Sequence, residues 1–209
     1  MRFTQEEINR LNIQFKGIPP VEIISWAVEY SIKALVTTNF RPYEVAILHA
    51  VSQVKSDIPV VWCDTGYNTP NTYKHAEELI ERLDLNIDLY VPKQTTAHRD
   101  AVMGIPPIDD VSHILFTEQV KLEPFRRAMT IHQPDVWFTN LRKGQTAHRD
   151  SLNILSLSID GVLKVSPFYH WNETHLDAYL KERHLPNETV IFDPTKVFET
   201  KECGFHLHL

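Results

Sequence analysis

The sequence predicts an α/β fold, in which a mostly parallel β-sheet carries helices on both faces. Short apolar runs at 34–37, 59–63, 87–91 and 136–139 have the length and composition of buried strands. The segments between the first three runs carry apolar residues at helical spacing. Alternating strands and helices of this length are typical of strand–helix–strand units, whose crossovers make neighbouring strands parallel.

Two helices are predicted ahead of the first strand. Thr4 and Glu7 form a capping-box pattern, which predicts a helix that runs to about Phe15. A pair of prolines ends that helix, and the second of them, Pro20, can occupy the first turn of another helix. We therefore expect residues 1–32 to form an N-terminal helical segment ahead of the main domain.

The helices of the main domain are predicted from apolar positions at helical spacing. These positions are Ile47, Val51 and Val54 in one helix, Ala76, Leu79, Ile80 and Leu83 in the next, a helix that includes Phe125 to Met129, and Leu176, Tyr179 and Leu180 in a helix capped by Asn172.

The end of the main domain is marked by a hairpin and by a loss of periodicity. Asp160-Gly161 lies between two apolar runs and predicts a hairpin that joins 156–159 to 162–165. From residue 185 onwards no periodic pattern is present. We therefore expect 33–185 to form the main α/β domain, whose binding function the loops described below indicate, and 186–209 to form an irregular C-terminal tail.

Composition and charge argue against several classes of function. The net charge of −6 over 209 residues argues against broad nucleic-acid binding, which needs a basic face. No apolar run approaches the roughly 20 residues of a membrane-spanning helix. The first residues also lack the apolar stretch of a signal peptide. We therefore expect a cytoplasmic protein without a nucleic-acid or membrane partner.

Three polar segments, 37–42, 64–67 and 142–149, follow predicted strands. Loops at the carboxyl ends of parallel strands meet at one edge of the sheet, where open α/β folds bind ligands. The first segment offers hydroxyls and a helix N-terminus for an anion, and the Asp64 carboxylate suits a ribose hydroxyl or an amine. The arginines of the third segment suit phosphate. Each segment alone also fits an ordinary capped turn or a solvated charge run, but together they predict a nucleotide pocket.

A cysteine near the C-terminus has the surroundings of a reactive thiol. Lys201 and His206 lie close to Cys203 in the sequence, and as cations they would stabilise its thiolate. Gly204 gives the backbone beside it unusual freedom. The same residues also fit a frayed tail, and Cys203, His206 and His208 together could form a weak metal site.

Five motifs occur in the same order as in the assimilatory phosphoadenylyl sulfate reductases, which are relatives of the adenylyl sulfate reductases. The resemblance extends over roughly residues 25–206. The motifs are the Ser/Thr-rich phosphate loop at Thr37-Thr38-Asn39-Phe40-Arg41, the turn Asp64-Thr65-Gly66-Tyr67, the segment with Lys121, Glu123, Pro124 and Arg127, the run with Leu141, Arg142, Lys143, Gln145 and Arg149, and the terminal Glu202-Cys203-Gly204-Phe205-His206.

The resemblance implies an adenine-nucleotide alpha-hydrolase-like fold and the reduction of 3′-phosphoadenylyl sulfate to sulfite and adenosine 3′,5′-bisphosphate, in sulfate assimilation. Cys203 would form an S-sulfocysteine, assisted by Glu202 and His206, and thioredoxin or glutaredoxin would then release sulfite. The resemblance also implies a homodimer without a metal or redox cofactor. The implied substrate-binding residues are Thr37, Thr38, Asn39, Phe40, Arg41, Asp64, Thr65, Gly66, Tyr67, Lys121, Arg142, Lys143, Arg149 and Lys201.

The sequence departs from the family pattern at two places. Arg41 replaces the glycine of the phosphate loop, and a short segment before Cys203 leaves Lys196 and Lys201 in place of arginines. The second cysteine, Cys63, is predicted to be a buried residue at the end of a strand. Two cysteines cannot ligate a four-iron cluster, which favours the 3′-phosphorylated substrate.

Three other functions are also compatible with the sequence. One is a cluster-free adenylyl sulfate reductase, and another is an adenine-nucleotide binder that has lost catalysis. The third is an ATP-pyrophosphate-cleaving enzyme, such as a sulfate adenylyltransferase subunit. The third is disfavoured, because the loop at 37–42 lacks the glycines that this class requires.

Overall fold

The sheet has six strands and is parallel except at one edge. The computed structural model describes residues 3–195 of the chain. The strand order is β3-β2-β1-β4-β6-β5, and only the β5–β6 pair is antiparallel. The strands are β1 Ala34–Thr38, β2 Val60–Cys63, β3 Ile87–Tyr90, β4 Val136–Phe138, β5 Leu155–Leu157 and β6 Leu163–Val165. The predicted α/β fold with a mostly parallel sheet is confirmed.

Nine α-helices and one π-helical segment are present within the described residues. The π-helical segment is Glu118–Leu122, and it joins two α-helices directly. The α-helices are α1 Gln5–Gln14, α2 Pro20–Tyr30, α3 Glu44–Val54, α4 Pro70–Leu83, α5 Thr96–Val102, α6 Ser112–Thr117, α7 Glu123–His132, α8 Ala147–Asp150 and α9 Glu173–Glu182.

The helix starts follow the local capping chemistry of the sequence. Thr4 and Glu7 satisfy each other's backbone N–H groups at the start of α1, so the predicted capping box is confirmed. Pro20 occupies the first turn of α2, and Asn172 caps α9 through the backbone N–H of His175. These three helices therefore begin where a side chain or a proline removes an unpaired donor.

The predicted hairpin is confirmed with a longer turn. Val162 donates from its backbone to the Ser158 hydroxyl, and Ser158 donates back to the Val162 carbonyl oxygen. These two bonds close a turn of three residues, 159–161, where the sequence predicts the two residues 160 and 161. Gly161 has φ +82°, which favours glycine at this point of the turn.

Alternate residues of each strand face two separate apolar layers. Val36 and Phe138 pack towards α1–α4 and α9, whereas Leu35 and Trp137 pack towards α7. The sheet therefore has helices on both faces, as predicted. Its middle strands are covered on both sides, which explains their continuous apolar sequence.

The N-terminal helices share the core of the sheet. Ile8 of α1 and Ile23 of α2 are buried in the same apolar layer as α3. Asn12 accepts a hydrogen bond from the Leu155 backbone N–H at 2.8 Å and donates to the Leu155 carbonyl oxygen at 2.9 Å. The helices α1 and α2, which correspond to the predicted segment 1–32, thus pack against the edge strand β5 and against α3.

Every helix within residues 3–195 is too short or too polar to cross a lipid bilayer. The segment 104–119, whose sequence pattern is less clear, forms a loop followed by α6 and the start of the π-helical segment. A π-helical turn breaks the 3.6-residue period on which helix prediction depends. That break accounts for the unclear helical pattern in this segment.

Lys164 gives a testable dependence of stability on pH. This β6 residue is 6% exposed, and its Nζ lies 5.1 Å from the centroid of the Trp137 ring. Burial lowers the pKa of Lys164 to about 8. Because the folded protein then loses this proton at a lower pH than the unfolded chain, the free energy of unfolding should increase between about pH 8 and pH 10.

We predict that Lys164→Met removes this increase, because the substituted side chain does not titrate. Urea unfolding at pH 7, 8, 9 and 10 measures the dependence on pH. Lys181→Met, at an exposed position on α9, is the control and should keep the wild-type dependence on pH. An increase in the free energy of unfolding of Lys164→Met between pH 8 and pH 10 that equals the wild-type increase would contradict the prediction, since it would mean that another group causes the dependence on pH.

Candidate active site

A cavity lies at the carboxyl edge of the sheet, where the strand order reverses. The chain proceeds outwards from β1 to β2 and β3, and then returns to place β4 on the other side of β1. A parallel sheet has its ligand crevice at such a point. The cavity is lined by Asn39, Arg41, Cys63, Thr65, Asn68, Thr72, Lys121, Ile191, Phe192 and Asp193.

The loop from β1 to α3 is held by the first residue of the helix that follows it. One carboxylate oxygen of Glu44, Oε2, accepts from the backbone N–H of Asn39 at 2.8 Å and of Arg41 at 3.1 Å. The same oxygen accepts from the Thr38 hydroxyl at 2.9 Å. The backbone donors that the sequence offers to an anion are therefore bonded to the protein's own carboxylate.

The same loop has two non-glycine residues with positive φ. Phe40 has φ 51° and Tyr43 has φ 66°. The ring of Phe40 is fully buried and packs edge-on against Trp62. Packing of the ring and the bonds to Glu44 hold this strained backbone in place. The result is a fixed loop from which the Arg41 side chain extends to the cavity.

The turn after β2 is organised by Asp64. Its carboxylate accepts from the Gly66 backbone N–H at 2.9 Å, from Asn68 at 2.9 Å and from the Tyr73 hydroxyl at 2.9 Å. Burial, together with the Asp64 charge, raises the pKa of Tyr73 to about 12. Asp64 therefore shapes the turn that presents Thr65 to the cavity.

Gly66 is required by close packing as well as by its backbone angles. It has φ +80°, and a Cβ atom there would lie 2.2 Å from the Thr96 hydroxyl oxygen. That hydroxyl donates to the Gly66 carbonyl oxygen at 3.2 Å. The adjacent Tyr67 donates its hydroxyl to Asp100 at 2.6 Å. The turn is thus fastened to α5, the helix that follows β3.

Two cations meet on one carboxylate oxygen in the cavity. Lys121, on the π-helical segment, is 4% exposed and donates to Oδ2 of Asp193 at 2.7 Å. Arg41 donates to the same oxygen. Lys121 also donates to the Thr195 hydroxyl at 3.0 Å. Burial opposes ionisation of Asp193, but Lys121 and Arg41 hold its pKa well below the ordinary value.

A second basic group follows β4. Arg142 is buried and lies over the Tyr43 ring, with 5.1 Å between the guanidinium carbon and the ring centroid. Burial lowers the pKa of Arg142. Gln145 accepts from the Arg142 backbone N–H and from the Arg149 guanidinium, while Lys143 is exposed. This group borders the β1–α3 loop through Tyr43.

The structure brings only some of the predicted site residues to the cavity. Asn39, Arg41, Thr65 and Lys121 line it. Thr37 instead accepts from the Trp137 indole N–H at 3.0 Å. Four predicted site residues lie outside the described part of the chain: Lys201, Glu202, Cys203 and His206. His208, the third residue of the possible metal site, also lies outside it.

Several cavity or loop residues were not predicted from the sequence. These are Glu44, Asn68, Thr72, Asp193 and Thr195. The pattern Asp193-Pro194-Thr195 is typical of a turn in which Asp bonds the backbone two residues later, and it was a usable signal. Cys63 is buried at the end of β2, as predicted, and its surroundings include the cavity.

Comparison with known proteins gives consistent matches. The model of the phosphoadenosine phosphosulfate reductase domain matches residues 33–193. A phosphoadenosine 5′-phosphosulfate reductase from Aliivibrio salmonicida is 35% identical over 188 residues, which cover 87% of this chain and 73% of that protein. One from a Synechococcus species is 32% identical over 184 residues, which cover 86% of this chain and 78% of that protein.

Solved structures share the fold. A phosphoadenylyl-sulfate reductase from Candida auris, crystallised as a phosphate complex, superposes with a TM-score of 0.79 at 24% identity and covers 90% of both chains. An NH3-dependent NAD synthetase from Campylobacter jejuni superposes with a TM-score of 0.54 at 10% identity, covering 85% of this chain and 74% of that one. Since the family model spans most of the chain and the two sequence relatives agree with it, the chain belongs to the phosphoadenosine phosphosulfate reductase family.

Proposed function

We propose that this chain reduces 3′-phosphoadenylyl sulfate to sulfite and adenosine 3′,5′-bisphosphate, as a step in sulfate assimilation. Membership of the family supports the reaction class. The observation that carries the proposal at the level of the site is the meeting of Arg41 and Lys121 at the carboxyl edge of the sheet. A buried ammonium and a partly exposed guanidinium at one point suit the adjoining phosphate and sulfate groups of this substrate.

The polar lining suits the nucleotide part of the substrate. Amide and hydroxyl groups line the cavity beyond the carboxyl ends of β1 and β2, from Asn39, Thr65, Asn68 and Thr72. Such groups can donate to and accept from a sugar or a base without adding charge. Asp64 acts in this proposal through the turn it holds, because its carboxylate already accepts three hydrogen bonds.

The anion site of this chain is built from side chains. In a backbone phosphate loop, free N–H groups point at the ligand. Here Glu44 accepts from two of those groups. Arg41, which replaces the glycine of the family's loop, supplies a guanidinium from the same turn. We infer that Arg41 and Lys121 perform the task that the loop backbone performs in a glycine-containing loop.

The reaction proposed for Cys203 balances when a donor protein supplies two thiols. The Cys203 thiolate attacks the sulfur of the substrate, a sulfur–sulfur bond forms, and the sulfur–oxygen bond to the 5′-phosphate breaks with its electron pair on the leaving nucleotide. A thiol of thioredoxin or glutaredoxin then attacks the Cys203 sulfur and releases sulfite. The donor's second thiol resolves the mixed disulfide, so the donor is oxidised.

The remaining features of the proposal follow the family pattern. The proposed enzyme uses no metal and no redox cofactor, acts in the cytoplasm and forms a homodimer. Glu202, His206 and Lys201 assist Cys203, and Arg142, Lys143 and Arg149 supply further positive charge near the nucleotide. The buried position of Arg142 against Tyr43 supports a role in placing the β1–α3 loop.

The first prediction of this proposal concerns a covalent intermediate. Reduced wild-type protein mixed with 3′-phosphoadenylyl sulfate, without a thiol donor, should gain the mass of one SO3 group, and peptide mapping should place it on Cys203. Cys203→Ser should gain nothing and should still bind adenosine 3′,5′-bisphosphate, because the thiol is needed for reaction and not for binding.

The same experiment separates the alternatives. An adduct formed only with adenylyl sulfate would mean that adenylyl sulfate is the substrate and that the mechanism is unchanged. An adduct on Cys63 would reject the role of Cys203. Binding of nucleotide without any adduct would show that the chain is a binder that has lost catalysis.

The second prediction concerns the loop that presents Arg41. Glu44→Ala removes the acceptor of three hydrogen bonds and leaves their donors partly buried, so it should lower the free energy of unfolding by about 2 kcal/mol. Glu44→Gln keeps one acceptor oxygen and should lower the free energy of unfolding by less than Glu44→Ala does. Urea denaturation measures both variants against Glu29→Ala, which changes an exposed glutamate of α2.

Equal stabilities of Glu44→Ala and Glu29→Ala would contradict the assignment of Glu44. In that case the loop would be held by the packing of Phe40, and its backbone donors would be open to an anion. The comparison therefore tests whether the anion site consists of side chains or of backbone.

A further inference from the structure

A short segment at the end of the described chain closes over the cavity. We call residues 190–195 the strap. Ile191, Phe192 and Asp193 of the strap line the cavity, opposite Asn39 and Thr65. The strap runs directly on towards Cys203, which follows Thr195 in the sequence by eight positions. Its contacts therefore bear on the site and on the segment that leads to the proposed nucleophile.

The Asp193 carboxylate is held so that one oxygen faces the cations. Oδ1 accepts from the Thr195 backbone N–H at 3.0 Å and from the Thr195 hydroxyl at 2.6 Å. Oδ2 is left to face Arg41 and Lys121. A single anionic oxygen between a guanidinium and an ammonium is the arrangement that a phosphate or sulfate oxygen adopts with these groups.

Burial makes occupancy of this position exclusive. The Asp193 side chain is 8% exposed and that of Lys121 is 5% exposed. An anion from outside cannot contact both cations at this point while Oδ2 lies between them. Either the ligand binds elsewhere in the cavity, or Asp193 leaves.

The contacts of the strap favour departure. Ile191 and Phe192 are 39% and 49% exposed, so little apolar surface holds them down. Within residues 3–195, the end of the strap is held at the buried residues Pro194 and Thr195. Lys121 donates to the Thr195 hydroxyl, and the buried His113 ring donates to the Pro194 carbonyl oxygen at 3.1 Å. Segments with few buried apolar contacts open at low free-energy cost. The main contact that is lost on opening, the ion pair, is the one that an incoming anion replaces.

We propose that Asp193 is an internal competitor for the anion site, which neutralises Arg41 and Lys121 when no substrate is bound and is displaced by the anionic group of the ligand. Displacement releases the strap and, with it, the point from which the chain continues to Cys203. Binding of the anion and release of that segment are therefore coupled. The identity of the natural ligand rests on the proposed function, but the exchange of anions does not.

The test uses inorganic sulfate as the probe and the full-length protein. Calorimetric titration at constant ionic strength compares wild type with Asp193→Asn, which keeps the side-chain shape and an acceptor for Thr195 but removes the charge. We expect Asp193→Asn to bind sulfate at least 10-fold more tightly, since no internal anion has to leave. Asp160→Asn, in the exposed hairpin turn, is the matched control and should bind as wild type does.

Unchanged or weaker binding of sulfate by a folded Asp193→Asn would overturn the proposal, because it would make Asp193 a support that positions the two cations. Hydrogen exchange on the wild-type protein gives a test that needs no variant. Saturating sulfate should increase amide exchange in the strap, and undiminished protection of residues 190–195 with sulfate bound would also overturn the proposal.

These outcomes are separate from those of the proposed reaction. The sulfate titration and the exchange measurement involve no nucleotide and no thiol chemistry. Tighter sulfate binding by Asp193→Asn, together with no adduct on Cys203, would keep the anion exchange and reject the reductase reaction. An adduct on Cys203 with unchanged sulfate binding would do the reverse.

Discussion

The contact of Arg41 and Lys121 with Asp193 is the interaction on which the arrangement of the site depends. It joins three parts of the chain that are distant in sequence: the loop after β1, the π-helical segment before α7, and the strap. The carboxylate lies between the buried ammonium of Lys121 and the partly exposed guanidinium of Arg41, and it offsets the repulsion between these like charges. The free protein therefore carries an anion of its own at this point.

Two carboxylates of the protein, those of Glu44 and Asp193, bind different hydrogen-bond donors of the crevice. Glu44 binds the backbone donors of the β1–α3 loop and stays within that loop. Oδ2 of Asp193 binds the side chains of Arg41 and Lys121 and reaches them from the strap. Because the Glu44 contact is local and the Asp193 contact is not, the first fixes the shape of the loop while the second can be exchanged.

The helices, strands and turns were predictable because they depend on local chemistry. Part of the site was not, because its residues are far apart in the sequence. The capping pairs, the hairpin turn and the buried strands each depend on residues close together in the chain. Arg41 and Lys121 were identified through motifs, but Asp193 lies 152 positions from Arg41 and 72 from Lys121, and no local pattern links them. Glu44 was missed for another reason: a glutamate in the first turn of a helix is common, and only the folded loop shows what it bonds.

Lys121 lies in the π-helical segment, and π-helical turns of this kind are frequent at functional sites. Lys121 is buried and faces Asp193, whereas Arg126, five residues later, is exposed and pairs with Glu118 on the outer surface. A buried lysine needs its counter-ion at hand, and the strap supplies it. The same lysine can then accept a substrate anion in exchange, without ever being left buried and unpaired.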